Sequence, residues 1–159
     1  MGQAERDHII EILEDLDVAF SVYSHEHIHT SEEAAEERDH DLDETVKSLI
    51  LSVDDRHVLY ALPGDRLVDF DDVADAFDAE SASLGDPDVV EDVTGCEVGS
   101  VPPFGPCLGV ESYVDQAVLE KDAVHASLAT HTDSVKIDTD VFDQLSFSAV
   151  NWSHDKTKT

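Results

Sequence analysis

Positive charge is what this sequence has least of. Nine Lys and Arg stand against 38 Asp and Glu, a formal net charge of −29. The acid is spread along the whole chain and does not sit in one tail. A nucleic-acid-binding domain normally carries a basic patch, and none is visible here. Either RNA is not the partner, or binding is adapted to concentrated salt, where phosphate attraction is weak. Such charge can also mean disorder, but the apolar segments are regular and well separated, which argues for a folded domain under an acidic coat. At about 1 M salt the Debye length falls to roughly 3 Å, so the self-repulsion of that coat largely disappears. A halophilic source is the expectation.

Cysteine is nearly absent. Cys96 and Cys107 are too few for a disulfide scaffold or a four-thiolate zinc site. Sequence alone leaves open whether they are two reduced thiols or a bridge across the intervening loop. Long apolar runs are missing too: none reaches 18 residues, so no membrane-spanning helix is expected. The opening Met1–Asp7 lacks the apolar stretch of a secretory signal. Arg6 stands where an N-terminal acylation signal needs Ser or Thr. A cytoplasmic location is expected. Also missing are a Gly-x-Ser-x-Gly elbow, a P-loop and a dinucleotide fingerprint. No cofactor and no DNA or membrane partner is expected.

What is present is one domain's worth of chain. There are 159 residues, 41% of them hydrophobic. Residues 1–152 read as a single domain and 153–159 as a frayed tail. Ile9, Ile12, Leu13 and Leu16 recur at helical spacing over Glu5–Leu16. Val18–Ser24 alternates like a strand. Thr30 with Glu33 makes a capping box for a second helix. Val46–Val53 and Val58–Leu62, joined by Asp54-Asp55-Arg56, predict a hairpin. Short helices are predicted over Asp71–Phe77, from Pro87 to about Thr94, and over Asp140–Leu145. Further strands are predicted at Leu108–Val114, Ala123–Ala126, Ser134–Ile137 and Phe147–Val150. The elements intersperse without steady βαβ alternation, so an α+β fold with a mixed sheet or barrel is favoured over a doubly wound one.

Lys47 is the most informative single residue. It interrupts Val46-Lys47-Ser48-Leu49-Ile50-Leu51, a strand otherwise suited to burial, and lysine is rarely buried without a partner. Its plain reading is an edge-strand lysine whose head reaches water. Its functional reading is a cation held for a carbonyl, phosphate or ribose. Next comes Val98-Gly99-Ser100-Val101-Pro102-Pro103-Phe104-Gly105. Prolines flanked by glycines fix a backbone path and let a ligand approach it closely, although most such loops are only turns. His25, His27 and His29 would share a face if extended, but no fourth ligand is evident and no metal is expected. His131 alone is a surface histidine before a strand, and nothing around Cys107 supports a Cys–His nucleophile.

Five pieces in order resemble the YbaK/ProX family of aminoacyl-tRNA editing deacylases. They are His25-Glu26; Thr30 with Glu33-Ala34-Ala35; Val46-Lys47-Ser48-Leu49; Pro63-Gly64-Asp65-Arg66; and Gly99-Ser100-Val101-Pro102-Pro103 followed by the His131-Thr132-Asp133 stretch. The resemblance runs from about Val18 to Leu145. It implies a mixed, largely antiparallel, barrel-like sheet decorated by helices, as in the editing domain of prolyl-tRNA synthetase. It implies a pocket for the aminoacyl 3′ end of tRNA, with Lys47, Gly99 and His131 as the central residues. Thr30, Ser48, Ser100, Val101, Pro103, Phe104 and Gly105 would line it. The implied reaction is hydrolysis of a small wrong residue such as alanine or cysteine, with tRNA for proline one candidate carrier and no covalent nucleophile. A binding module of the same fold without turnover is the alternative. Two positions depart from the pattern: Ala129 stands where a glycine is usual, and Ser48 where relatives carry Asn or Thr.

Overall fold

The structure, a computed structural model, describes residues 2–16, 18–24, 44–130, 132–145 and 147–155. The helix expected from Thr30 and the histidines at 25, 27 and 29 lie outside them. Helix α1 (Gln3–Asp15) buries Ile9 and Leu13, the stripe that its spacing predicts. Each such side chain contributes about 1.5–3 kcal/mol by leaving water. β1 (Phe20–Ser24) precedes the hairpin of β2 (Thr45–Val53) and β3 (Arg56–Pro63). β4 (Arg66–Val68) leads to α2 (Phe70–Phe77), where the Asp69 carboxylate accepts from the Asp71 and Asp72 amides at 3.1 and 3.2 Å. β5 (Ala82–Leu84) and α3 (Pro87–Thr94) follow, with Pro87 in the first turn of α3.

A 3₁₀ turn at Gly105–Leu108 comes before β6 (Ser112–Asp115) and the one-turn α4 (Gln116–Leu119). β7 (Ala123–Ser127) and β8 (Asp133–Asp138) form a second antiparallel pair. α5 (Asp140–Gln144), β9 (Ser148–Val150) and β10 (Ser153–Asp155) complete the chain. The sheet order is β1-β8-β7-β2-β3-β6-β9, with β5 on β2. Antiparallel pairs dominate; β2/β7, β3/β6 and β6/β9 are parallel. Thus the fold is the expected mixed α+β one. Ser153–Asp155, expected in a frayed tail, pairs instead with Arg66–Val68. The strand expected from Leu108 starts at Ser112, because Gly105–Leu108 winds into the 3₁₀ turn.

Two apolar clusters cover the sheet. One packs Val46, Ile50, Leu59, Ala61, Val124, Ala126, Val135 and Ile137 against α1, α3, α5 and the loop residues Val101 and Phe104. The other packs Leu51, Val53, Val58, Tyr60 and Leu62 against Val73 and Trp152 on the opposite face. A buried polar network fastens the end of the chain there. The Tyr60 hydroxyl donates to Asp115, Ser153 Oγ donates to Asp115 Oδ2 at 2.5 Å, and Arg66 Nε donates to Ser153 Oγ at 2.6 Å. Asp115 Oδ1 also accepts from the Ala117 amide at 2.8 Å. Burial, reinforced by the Asp115 carboxylate, pushes the Tyr60 phenol well above its ordinary value, so it remains a donor.

The loop before β6 is anchored by packing. Phe104 is fully buried, and a Cβ on Gly105 would lie 1.8 Å from Ser112 Oγ and 3.2 Å from the Val110 carbonyl oxygen. The Ser112 hydroxyl is already committed to that carbonyl at 2.9 Å. Gly105→Ala therefore overpacks the site and should cost about 1–3 kcal/mol. Urea unfolding at fixed high KCl measures this; an unchanged midpoint would contradict the packing role.

Candidate functional site

One part of the sheet presents polar side chains where the rest presents core. On β1, β8 and β7 the residues in the apolar cluster are Phe20 and Val22, Val135 and Ile137, and Val124 and Ala126. Successive side chains point to opposite faces. Ser21, Tyr23, Ser134, Lys136, His125 and Ser127 therefore share the other face. β2 meets β7 in parallel through only two pairs, Thr45 with His125 and Val46 with Ala126. Lys47 is one step beyond the last pair and two beyond Thr45, so it lies on this polar face, level with Ser127.

The register sorts these residues into two cross-strand rows. One runs Tyr23, Ser134, Ser127, with Lys47 level beyond them; the next runs Ser21, Lys136, His125, Thr45. A hydrogen bond of 2.7 Å between the Tyr23 hydroxyl and His125 Nδ1 ties the rows together, with the rings edge to face at 6.1 Å. Ser127 Oγ donates to the Gly99 carbonyl at 3.3 Å. Two of the sequence-predicted residues, Lys47 and Gly99, are thus brought to the same end of one face. Gly99 has φ +90°, a left-handed conformation that a residue with a Cβ adopts only at a cost.

The other expected residues are distributed differently. Ser48 alternates to the opposite face, toward Val46 and Ile50, and its buried hydroxyl has no hydrogen-bond partner among the described residues. Ser100 is 1% exposed and its hydroxyl donates to the Glu97 carbonyl at 2.8 Å. Val101 and Phe104 lie in the core, Pro103 is buried beside them, and Gly105 is packed against Ser112. Thr30 and His131 lie outside the described residues. The turn that leads to 131 is firmly held: Thr130 Oγ1 donates to Asp133 Oδ2 at 2.6 Å, and Arg6 Nε on α1 lies 3.3 Å from the same oxygen. Ala129 is buried with φ +71°. It keeps the left-handed turn that a glycine would make more easily. Tyr23, Ser127, Ser134 and His125 were not picked out by the sequence; only the pairing of distant strands assembles them.

Neither thiol is activated as a nucleophile by its surroundings. Both cysteines are free, and burial pushes each up to about 11, with the Glu5 carboxylate adding to the effect on Cys96. The thiolate is the reactive form, and it is scarce here at neutral pH. Among the described residues no cluster of three or more His, Cys, Asp or Glu could hold a metal. No described helix is long and apolar enough to cross a membrane. What the site offers is a half-buried ammonium among hydroxyls, an imidazole and a loop backbone, suited to orienting and stabilising an oxygen-rich ligand.

The match to known proteins gives that arrangement its class. The model of the aminoacyl-tRNA editing domain family matches residues 25–145, and this chain belongs to that family. Among curated proteins it is 31% identical over 107 residues to the multifunctional Ser/Thr-tRNA deacylase ProXp-y of Escherichia coli, covering 65% of this chain and 64% of that one. It is 38% identical over 73 residues to a proline–tRNA ligase of a Geobacillus species, covering 46% of this chain and 13% of the ligase. The chain thus spans under two thirds of the length of each. Among solved structures it superposes on the hypothetical protein APE2540 with a TM-score of 0.81, at 18% identity over 94% of this chain and 100% of that one. It also superposes on a candidate trans-editing enzyme for prolyl-tRNA synthetase with a TM-score of 0.78, at 18% identity over 94% of this chain and 97% of that one. These two likenesses establish the shared fold.

The raised thiols carry a pH signature. In the unfolded chain a cysteine ionises near its ordinary value of 9.0, whereas the folded chain holds both protonated to about 11. Their contribution to stability is complete below pH 9 and is lost as pH rises toward about 11. A Cys96→Ala/Cys107→Ala variant should lose less stability than the parent between about pH 8 and 10, below the ordinary tyrosine value of 10.0 at which the raised Tyr113 begins to cost stability in both proteins. Urea midpoints across that range measure it; identical slopes in both proteins would contradict the assignment.

Proposed function

We propose that this protein is an editing hydrolase that acts in trans, cleaving the ester between a small wrong amino acid and the 3′-terminal ribose of tRNA. The observation that carries the reading is the coincidence of the editing-family match over residues 25–145 with Lys47 at the end of a polar sheet face, level with Ser127. An aminoacyl ester is already activated. The site needs only to fix the ester, position a water and stabilise the oxyanion as water adds to the carbonyl. In this scheme the Lys47 ammonium stabilises the developing negative charge, and the backbone at Gly99 borders the amino-acid side chain. The departing ribose oxygen takes a proton with help from its neighbouring hydroxyl. His131 then positions the substrate and is not the principal base. The raised thiols, Cys96 buried and Cys107 half-buried, agree with a mechanism that has no covalent intermediate.

The amino acid is a small one. Alanine and cysteine fit the sequence resemblance, and the Escherichia coli relative's name adds serine and threonine. Editing is needed for such substrates because small side chains are poorly discriminated by binding alone. The acidic coat supports work in a salt-rich cytoplasm, where screening removes its self-repulsion. A panel of alanyl-, cysteinyl-, seryl- and threonyl-tRNA, assayed from low to high KCl, tests both points. The wild-type protein should release at least one amino acid, and should do so only where KCl is high enough to keep it folded. Lys47→Ala should lower kcat by at least a hundredfold with the fold intact, and His131→Ala should lower it less. Binding without release would make the protein a non-catalytic module of this fold. Full activity in Lys47→Ala would remove that residue from the mechanism.

A further inference from the structure

Lys136 is out of character for this chain. It is exposed in the middle of β8, and among the described residues its side chain forms no hydrogen bond or ion pair. Arg6 and Arg56 are both held by carboxylates, and Arg66 by Ser153. With 38 acidic residues against nine basic ones, an exposed lysine that pairs with no described carboxylate needs a reason. Its neighbours in register are Ser21 and His125, then Thr45. The adjoining row ends at Lys47. Neither row contains a carboxylate. Asp133, at the end of β8 nearest Lys47, is engaged by Arg6, Thr130 and Ser24. The next acid on this face is Asp138, one row farther from Lys47, where it shares a shallow groove with Lys136, Ser21 and Ala123.

Among the described residues the two rows therefore make a track of hydroxyls, an imidazole and two ammonium groups that contains no carboxylate, with Asp138 at its outer edge. It leads from half-buried Lys47 to exposed Lys136 across two strand spacings and one row, roughly 12 Å. A polyanion can approach a surface of net charge −29 only where the acids are missing, because carboxylates beside a phosphate repel it. We infer that Lys136, flanked by Ser21 and His125, contacts a backbone phosphate of the tRNA acceptor strand next to the 3′-terminal nucleotide held at Lys47. This rests on the reading that the substrate is an aminoacyl-tRNA. The contact positions the strand; it touches no reacting atom.

The test uses the full chain and a fluorescein-labelled RNA minihelix ending in CCA, with binding followed by anisotropy at several KCl concentrations. Lys136→Ala should weaken binding about fivefold and should flatten the slope of log K against log [KCl] by roughly 0.7–0.9, the loss of one phosphate contact. Lys136→Arg should retain both. Arg56→Gln removes the same charge at the start of β3, beside the far end of β2, and should leave both unchanged. On a mischarged tRNA that the wild type hydrolyses, Lys136→Ala should raise KM and leave kcat alone. Wild-type affinity and slope in Lys136→Ala would overturn the inference, as would an equal loss in Arg56→Gln, which would make net charge the cause. A wild-type protein that hydrolyses the tRNA while ignoring the Lys136 change rejects only this contact. One that neither binds the minihelix nor releases any amino acid rejects the editing reading itself.

Discussion

The short parallel contact between β2 and β7 is the constraint on which the rest of the structure depends. Two antiparallel ladders, β1-β8-β7 and β2-β3, meet there through only Thr45–His125 and Val46–Ala126. Alternation fixes the consequences. Val46 and Ala126 join one apolar cluster from either side of the seam. Thr45 and His125 take the opposite face, and Lys47 follows them just where the pairing ends. A slip of one residue at this seam would send Lys47 into the core and Val46 to the polar face. The burial of Val46 at 4% and Ala126 at 0% holds the register.

The loop from Gly95 to Gly109 reaches the same place from the other direction. Val101 and Phe104 seat it in the core, the Ser100 amide and hydroxyl close a turn on the Glu97 carbonyl, and Ser127 holds the Gly99 carbonyl. The exposed end of this loop can therefore present backbone to a ligand while its other end is packed. The same division explains why Gly99 and Gly105 differ. One has a left-handed backbone at the surface; the other leaves space for a serine side chain. The charge distribution completes the arrangement. With 38 acids against nine bases the acid coat is mostly uncompensated, and among the described residues the two polar rows beside Lys47 are set apart by containing no carboxylate.

Much of this was legible in the sequence, and the limits have physical causes. The β2–β3 hairpin follows from β-branched runs on either side of Asp54-Asp55-Arg56, and α3 from Pro87 and Gly95, because these are local signals. Lys47 stood out since a cation in an apolar strand is locally anomalous. The family resemblance implies Phe104 and Gly105 as lining residues, and a Pro-Gly loop looks alike in sequence whether it faces ligand or core. Their burial is set by α1 and β6, distant in the chain. β4, β5 and β10 are three residues each, too short for periodicity to register, and β10 exists through the Arg66–Ser153–Asp115–Tyr60 network. Tyr23, His125, Ser127 and Lys136 had no anomaly of their own. Their meaning comes from register between strands about a hundred residues apart, which local pattern does not contain.

The central claim is that the ligand's aminoacyl end lies on the polar face where β2 and β7 part. Titrating the ¹⁵N-labelled protein at high KCl with an amide-linked 3′-aminoacyl-adenosine, which cannot be hydrolysed as an ester, tests it directly. The account predicts that the largest amide shifts cluster at Lys47, Gly99 and Ser127, with smaller ones at Tyr23 and His125. Shifts centred instead on the Tyr60–Trp152–Tyr113 cluster, or none at saturating ligand, would contradict it.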